Sequence, residues 1–84
     1  MENKPKRPDN VPENAVWKED EQEWELGKYK NGKYSGFFQW WRKNGLIVCE
    51  TNFDKKGNII DYKRYHPDGT ISRTGTYKDG VEHG

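Results

Sequence analysis

From Trp17 onward, stretches of five to eight residues rich in aromatic and β-branched side chains alternate with polar clusters that each hold a glycine. The glycines fall at Gly32, Gly45, Gly57, Gly69 and Gly80, at spacings of 13, 12, 12 and 11. They follow Asn31, Asn44, Lys56, Asp68 and Asp79. Asn-Gly and Asp-Gly mark hairpins because the tight turn needs positive φ. Pro67-Asp68-Gly69 fits a type I turn with proline second, then glycine in the left-handed region. The pattern predicts short strands over 24–30, 34–42, 46–53, 59–66 and 70–78, with another opening at 81–84. The fold class is all-β: an antiparallel meander of about five to six strands.

Self-comparison turns this spacing into a repeat. Residues 26–36 read LGKYKNGKYSG and residues 74–84 read TGTYKDGVEHG, with five of eleven positions identical. At a shift of 24, Phe38 falls on Tyr62, Trp41 on Tyr65, Asn44 on Asp68, Gly45 on Gly69 and Ile47 on Ile71. The unit is a hairpin of about 24 residues, present about two and a half times. Positions that recur solve the same packing problem in each unit, so Phe38, Tyr62, Trp41, Tyr65, Tyr29 and Tyr77 are assigned to packing. A spacing of three within a strand does not match two-residue alternation. Either a bulge re-aims one aromatic, or the aromatics occupy both faces.

Composition limits what these strands can bury. The chain has 84 residues, 30% hydrophobic and 35% charged, too little for a conventional two-layer core. Four Trp, five Tyr and three Phe must carry the fold. Residues 1–16 hold three of the four prolines and no aromatic, and read as a flexible tail. Val11, Val16 or Trp17 is expected to dock on the edge of the β-domain, which spans 17–84. The lone Cys49 excludes an intramolecular disulfide, and one Cys with the distant His66 and His83 makes no zinc cluster. No secretory h-region and no apolar run of membrane length is visible, so a cytoplasmic protein is the default expectation.

The order of glycines and aromatics resembles the MORN-type repeat, in its bacterial variant form. The carrying residues are Asn31-Gly32-Lys33-Tyr34-Ser35-Gly36, Phe38, Trp41 and Asn44-Gly45. The order resumes at Gly57, Tyr62, Tyr65 and Asp68-Gly69, then restarts at Asp79-Gly80-Val81-Glu82-His83-Gly84. Ile60 replaces the second glycine of the middle unit, and Lys56 stands where Asn or Asp is usual, so that unit is expected to deviate. The resemblance implies an elongated single-layer sheet serving as a scaffold or binding surface. It also brings antitoxin-like roles for bacterial relatives, and membrane and assembly roles for eukaryotic arrays. The last unit stops where its aromatic strand should begin. The array is therefore expected to continue in a longer chain, or to have its open edge closed by a second copy through strand addition.

No Ser, His and Asp set shares a plausible location and no glycine-rich loop opens a helix, so the reading is a non-enzymatic module needing no cofactor. Non-recurring positions are the candidates for a binding surface: Phe37, Trp40, Arg42, Lys63 and Arg64, an aromatic–cation patch of the kind enriched in hot spots. The alternative for Trp40 is cover for a weak core, with Arg64 stacked on it. Leu46-Ile47-Val48-Cys49 is the most apolar run, either a strand buried on both faces or an exposed patch. Cys49 then reads as a small buried hydrophobe, and His66 as a turn residue. Residues 17–26 carry one Lys against five carboxylates, whereas residues 27–84 carry eleven Lys and Arg against six Asp and Glu, a net of +5. The basic excess suits a solvated sheet or an anionic partner, nucleic acid or acidic membrane, reached by Lys28, Lys30, Lys33, Arg42, Lys63 and Arg64. A protein partner, or further repeats of the same chain, is the leading expectation.

Overall fold

The computed structural model describes residues 5–78 and 81–82. Seven strands run in meander order: β1 (Val16–Lys18), β2 (Glu23–Lys30), β3 (Lys33–Arg42), β4 (Ile47–Phe53), β5 (Ile59–Tyr65), β6 (Ile71–Lys78) and β7 (Val81–Glu82). Each pairs antiparallel with the next in one open sheet, and no helix forms among the described residues. The shortest dimension is 19 Å, against 42 and 33 Å for the others. That is one layer of backbone with side chains on both faces. The all-β meander is as the pattern predicts, with one strand more: β1 lies partly in the expected tail. The acidic stretch divides, residues 19–22 turning between β1 and β2 while Glu23 and Glu25 sit in β2. The expected turn at Asp79-Gly80, and His83 and Gly84, lie outside the described residues.

Turn chemistry sets this register. Lys30 pairs with Lys33, leaving the two-residue loop Asn31-Gly32 at φ of 53° and 75°, a type I′ hairpin. The next three turns are copies of one another. Arg42, Asp54 and His66 each donate their N–H to the carbonyl four residues on, at 2.8, 2.8 and 2.7 Å. Each also accepts from the glycine N–H three residues on. In the first and third, Asn44 and Asp68 accept the N–H of Leu46 and Thr70 through their side chains. Lys56 cannot do so in the middle turn, and Asp54 Oδ1 takes over, accepting from Lys56 and Asn58. The middle turn therefore keeps the shape of its neighbours. His66 is an exposed turn residue.

Trp17, Tyr29, Trp41, Phe53, Tyr65 and Tyr77 stand at intervals of 12, one in each of β1 to β6. Successive strands run in opposite directions, so successive members alternate between the ends and the faces of the sheet. Twenty-four residues is thus the distance between equivalent positions on one face. Phe38 and Trp41 lie on opposite faces: Phe38 shares its face with Trp40, and Trp41 pairs with Trp24 on the other. Bulges on the facing strands restore register after each turn. Val48, Ile60 and Ser72, also 12 apart, are the residues left over between Cys49 and Ile47, Asp61 and Ile59, and Arg73 and Ile71.

Two packing devices substitute for a second layer. On one face, termed the cleft face, a row crosses five strands as Gly27, Phe38, Thr51, Tyr62 and Gly75, small and large by turns. A Cβ on Gly27 would lie 2.3 Å from Phe38 Cδ2, and one on Gly75 would sit 2.6 Å from Tyr62 Cε1. Phe38 is fully buried, with Tyr29, Tyr34, Trp40 and Phe53 ringed about it at centroid distances of 4.9–5.6 Å.

The other face is closed at one end by the N-terminal segment, termed the strap. Residues 8–15 form two consecutive turns, Val11 N–H to Pro8 O and Ala15 N–H to Pro12 O, both 3.0 Å. Val11, fully buried, and Ala15 pack with Trp24 and Trp41, flanked by Trp17, Leu26 and Ile47. Asn10 Nδ2 donates to Gly45 O at 2.7 Å, and Arg7 Nη1 donates to the carbonyls of Pro8 and Val11. Over these residues the expected flexible tail is an ordered segment: Val11, one of the three residues expected to dock, is buried, and the strap supplies part of the core. Leu46-Ile47-Val48-Cys49 is not buried on both faces, since Leu46 is exposed and the other three are half-buried.

Gly27→Val should destabilise the fold by about 1–3 kcal/mol, because a fully buried Phe38 has no room to yield. A urea midpoint equal to that of the parent chain would show that the small–large row does not hold the sheet.

Candidate functional site

Cross-strand pairing settles which candidate residues share a surface, because directly paired residues face the same way. The ladder Glu25, Trp40, Cys49, Arg64 and Arg73 runs across the cleft face. The adjacent ladder Leu26, Gln39, Glu50, Lys63 and Thr74 runs across the strap face. Trp40, Arg42 and Arg64 therefore stand on the cleft face. Phe37, half exposed at 50%, and Lys63 stand on the strap face. The single patch expected of these five residues is divided between two surfaces.

Trp40 is held as a structural residue. Its indole N–H donates to Glu25 Oε1 at 2.9 Å and its ring stacks on Phe38 at 5.6 Å. Glu25 is a buried carboxylate that also accepts from Tyr29 Oη at 2.8 Å and lies 3.6 Å from Lys18 Nζ. A charge buried this way is tolerated because each oxygen has a donor. The expected pairing of Trp40 with Arg64 is replaced by this Trp40–Glu25–Tyr29 network. Nothing local in the acidic run marks Glu25 as buried; its partners come from the next strand and from four residues on.

An open cleft of about 540 Å³ lies on this face, with residues of β2 to β7 around it, among them Trp40, Cys49, Thr51, Tyr62, Arg64, Arg73 and Tyr77. The bulges, which sharpen local twist, curve the sheet around it. At its far side Arg73 Nη2 lies 3.0 Å from Glu82 Oε1, and Tyr62 Oη donates to Glu82 Oε2 at 2.7 Å. The bond from Tyr62 and the charge of Arg73 hold the Glu82 carboxyl below its usual range, and the same bond raises the Tyr62 phenol. At the near side, burial raises Glu23, opposed by Arg42, reinforced by Glu21 and opposed again by Arg64. Arg64 is the exposed cation in the middle, and Cys49 Sγ lies 3.2 Å from Thr51 Oγ1. The arrangement offers aromatic surface and guanidinium groups, a recognition chemistry.

The strap face carries a second polar chain. Gln39 Nε2 donates to Glu50 Oε2 at 2.8 Å and Tyr65 Oη donates to Glu50 Oε1 at 2.7 Å. Lys28, Lys30, Lys33 and Lys63 fall on this face by alternation, whereas Arg42, Arg64 and Arg73 fall on the cleft face. The basic excess is thus divided between surfaces and interleaved with carboxylates. No protein-family model, curated protein or solved structure matches the chain.

The bond to Glu50 and desolvation push the Tyr65 phenol up to about 12. A phenol whose folded pKa exceeds its ordinary value near 10 adds stability that is fully present below pH ~10. That stability is lost as pH rises toward 12. Tyr65→Phe should therefore lose less stability than the parent chain between pH 9 and pH 11, measured by urea denaturation. Equal losses would show that the Tyr65–Glu50 bond does not couple to folding.

Proposed function

We propose that the chain is a non-enzymatic protein-interaction module, a scaffold that takes an extended segment of a partner protein into the cleft. The carrying observation is the unevenness of the sheet. Its first half is filled by the aromatic cluster on the cleft face and by the strap on the other, while toward β5 and β6 the cleft presents Tyr62, Arg64 and Tyr77 with no layer above them among the described residues. A single-layer sheet spends few residues on a core and leaves a broad surface, and aromatic and arginine side chains dominate binding energy where such surfaces are used. The likeness to MORN-type repeats supports the same reading, since those are elongated scaffolds.

Arg64 sets the chemistry of the partner. Arg73 is engaged by Glu82, and Arg42 lies beside Glu23, so Arg64 is the guanidinium left to take an acidic residue. Tyr62, Tyr77 and Trp40 supply apolar surface on either side. A polyanion such as nucleic acid is favoured less, because the cations stand on two faces.

Arg64→Glu reverses the central charge on an exposed side chain and should leave the unfolding free energy within about 0.5 kcal/mol of the parent. Crosslinking capture with the two proteins should then recover a partner with the parent chain and lose it with the variant. Recovery of the same partners by both, or retention only by salt-sensitive binding to nucleic acid, would contradict the proposal.

A further inference from the structure

The strap is held by a surface that the repeat builds twice. Its floor is Trp41 and Ile47, paired across β3 and β4, and its rim is the turn at Gly45. There a Cβ would meet Asn10 Oδ1 at 2.7 Å and Pro8 Cβ at 2.9 Å. Twenty-four residues on, Tyr65 and Ile71 are paired across β5 and β6 at the same end and on the same face. The turn at Gly69 repeats the hydrogen bonds of the turn at Gly45. Among the described residues nothing lies within 4 Å of the Cβ position at Gly69, and Ile71 is 55% exposed.

We infer that Tyr65, Ile71 and the Gly69 turn form a second docking site for a proline-turn segment of a partner protein, of the kind Pro8-Asp9-Asn10-Val11 represents. The occupied site shows what such a segment must bring. A proline-initiated turn lies against the glycine, an Asn amide reaches the glycine carbonyl, and an aliphatic side chain is buried in the cluster that the floor residues join. The vacant site differs in one dimension. The place of Trp24 falls on the β4 bulge at Val48, which lines the cleft instead, and Tyr65 replaces Trp41. With less indole on the floor, the site has room for Leu, Ile or Met where the strap has Val11. This surface is on the opposite side from the cleft, so the two readings stand or fall separately.

The probe is a synthetic peptide of residues 5–15 carrying Val11→Leu, titrated into the isotope-labelled full chain and followed by NMR. Saturable shifts should centre on Tyr65, Gly69 and Ile71. In Ile71→Asp, confirmed folded by its own spectrum, affinity should fall about tenfold or more, the worth of one buried aliphatic side chain. In Arg64→Glu on the cleft face it should be unchanged. Shifts confined to Trp24 and Trp41, which would mean displacement of the chain's own strap, would overturn the inference. So would the absence of saturable shifts, or self-association of the unliganded chain that covers Ile71.

Discussion

A sheet one layer thick has no opposing layer to fill the spaces between its side chains, and every other feature of this chain answers that constraint. On the cleft face the answer is the small–large row, in which an aromatic ring on one strand lies over a glycine or threonine on the next. A fully buried aromatic side chain contributes about 1.5–3 kcal/mol. Phe38 obtains that burial from neighbours in its own sheet. On the strap face the answer is borrowed chain: eight residues of turn, with one valine buried in a cluster with Trp24 and Trp41.

These devices are not evenly spread, and the proposed function rests on the unevenness. Among the described residues, every buried side chain lies between Val11 and Phe53, and the only buried position beyond is Gly75. β5 and β6 are held by backbone pairing, by the Tyr62–Glu82 and Tyr65–Glu50 bonds, and by similar turns. They present Arg64, Tyr77 and Ile71 outward on their two faces. The half that stabilises and the half that offers surface are built from the same repeat, with Trp24 and Trp41 replaced by smaller residues in the second.

What was legible in the residues was what is decided locally. The Asn-Gly and Asp-Gly turns, the strand lengths and the recurrence of Phe38 and Tyr62 all reflect chemistry within a few positions. Six aromatics at intervals of 12 were equally visible, but their alternation between faces makes sense only with the strands in place. Of the strap, only the docking of Val11 was legible. Val11 and Ala15 are isolated apolar residues in a polar, proline-rich stretch, and their burial depends on Trp24 and Trp41 meeting across two strands. The candidate surface was legible in its residue types and not in its geometry. Parity along β3 separates Phe37 from Trp40, but the bulge opposite Trp41 makes any count across strands fail. Glu25 was missed because its donors, Tyr29 four residues on and Trp40 on the next strand, converge on it only once the sheet is formed.

Amide hydrogen exchange measured strand by strand tests the division of labour most directly, since protection reports the free energy of local opening. Protection should be greatest in β2, β3 and β4, around Trp24, Phe38 and Thr51, and should fall through β5 and β6. Val11→Asp should lower it first in β2 and β3. Uniform protection across the sheet, or a maximum in β5 and β6, would contradict the claim that the first half holds the fold and the second half is left free to bind.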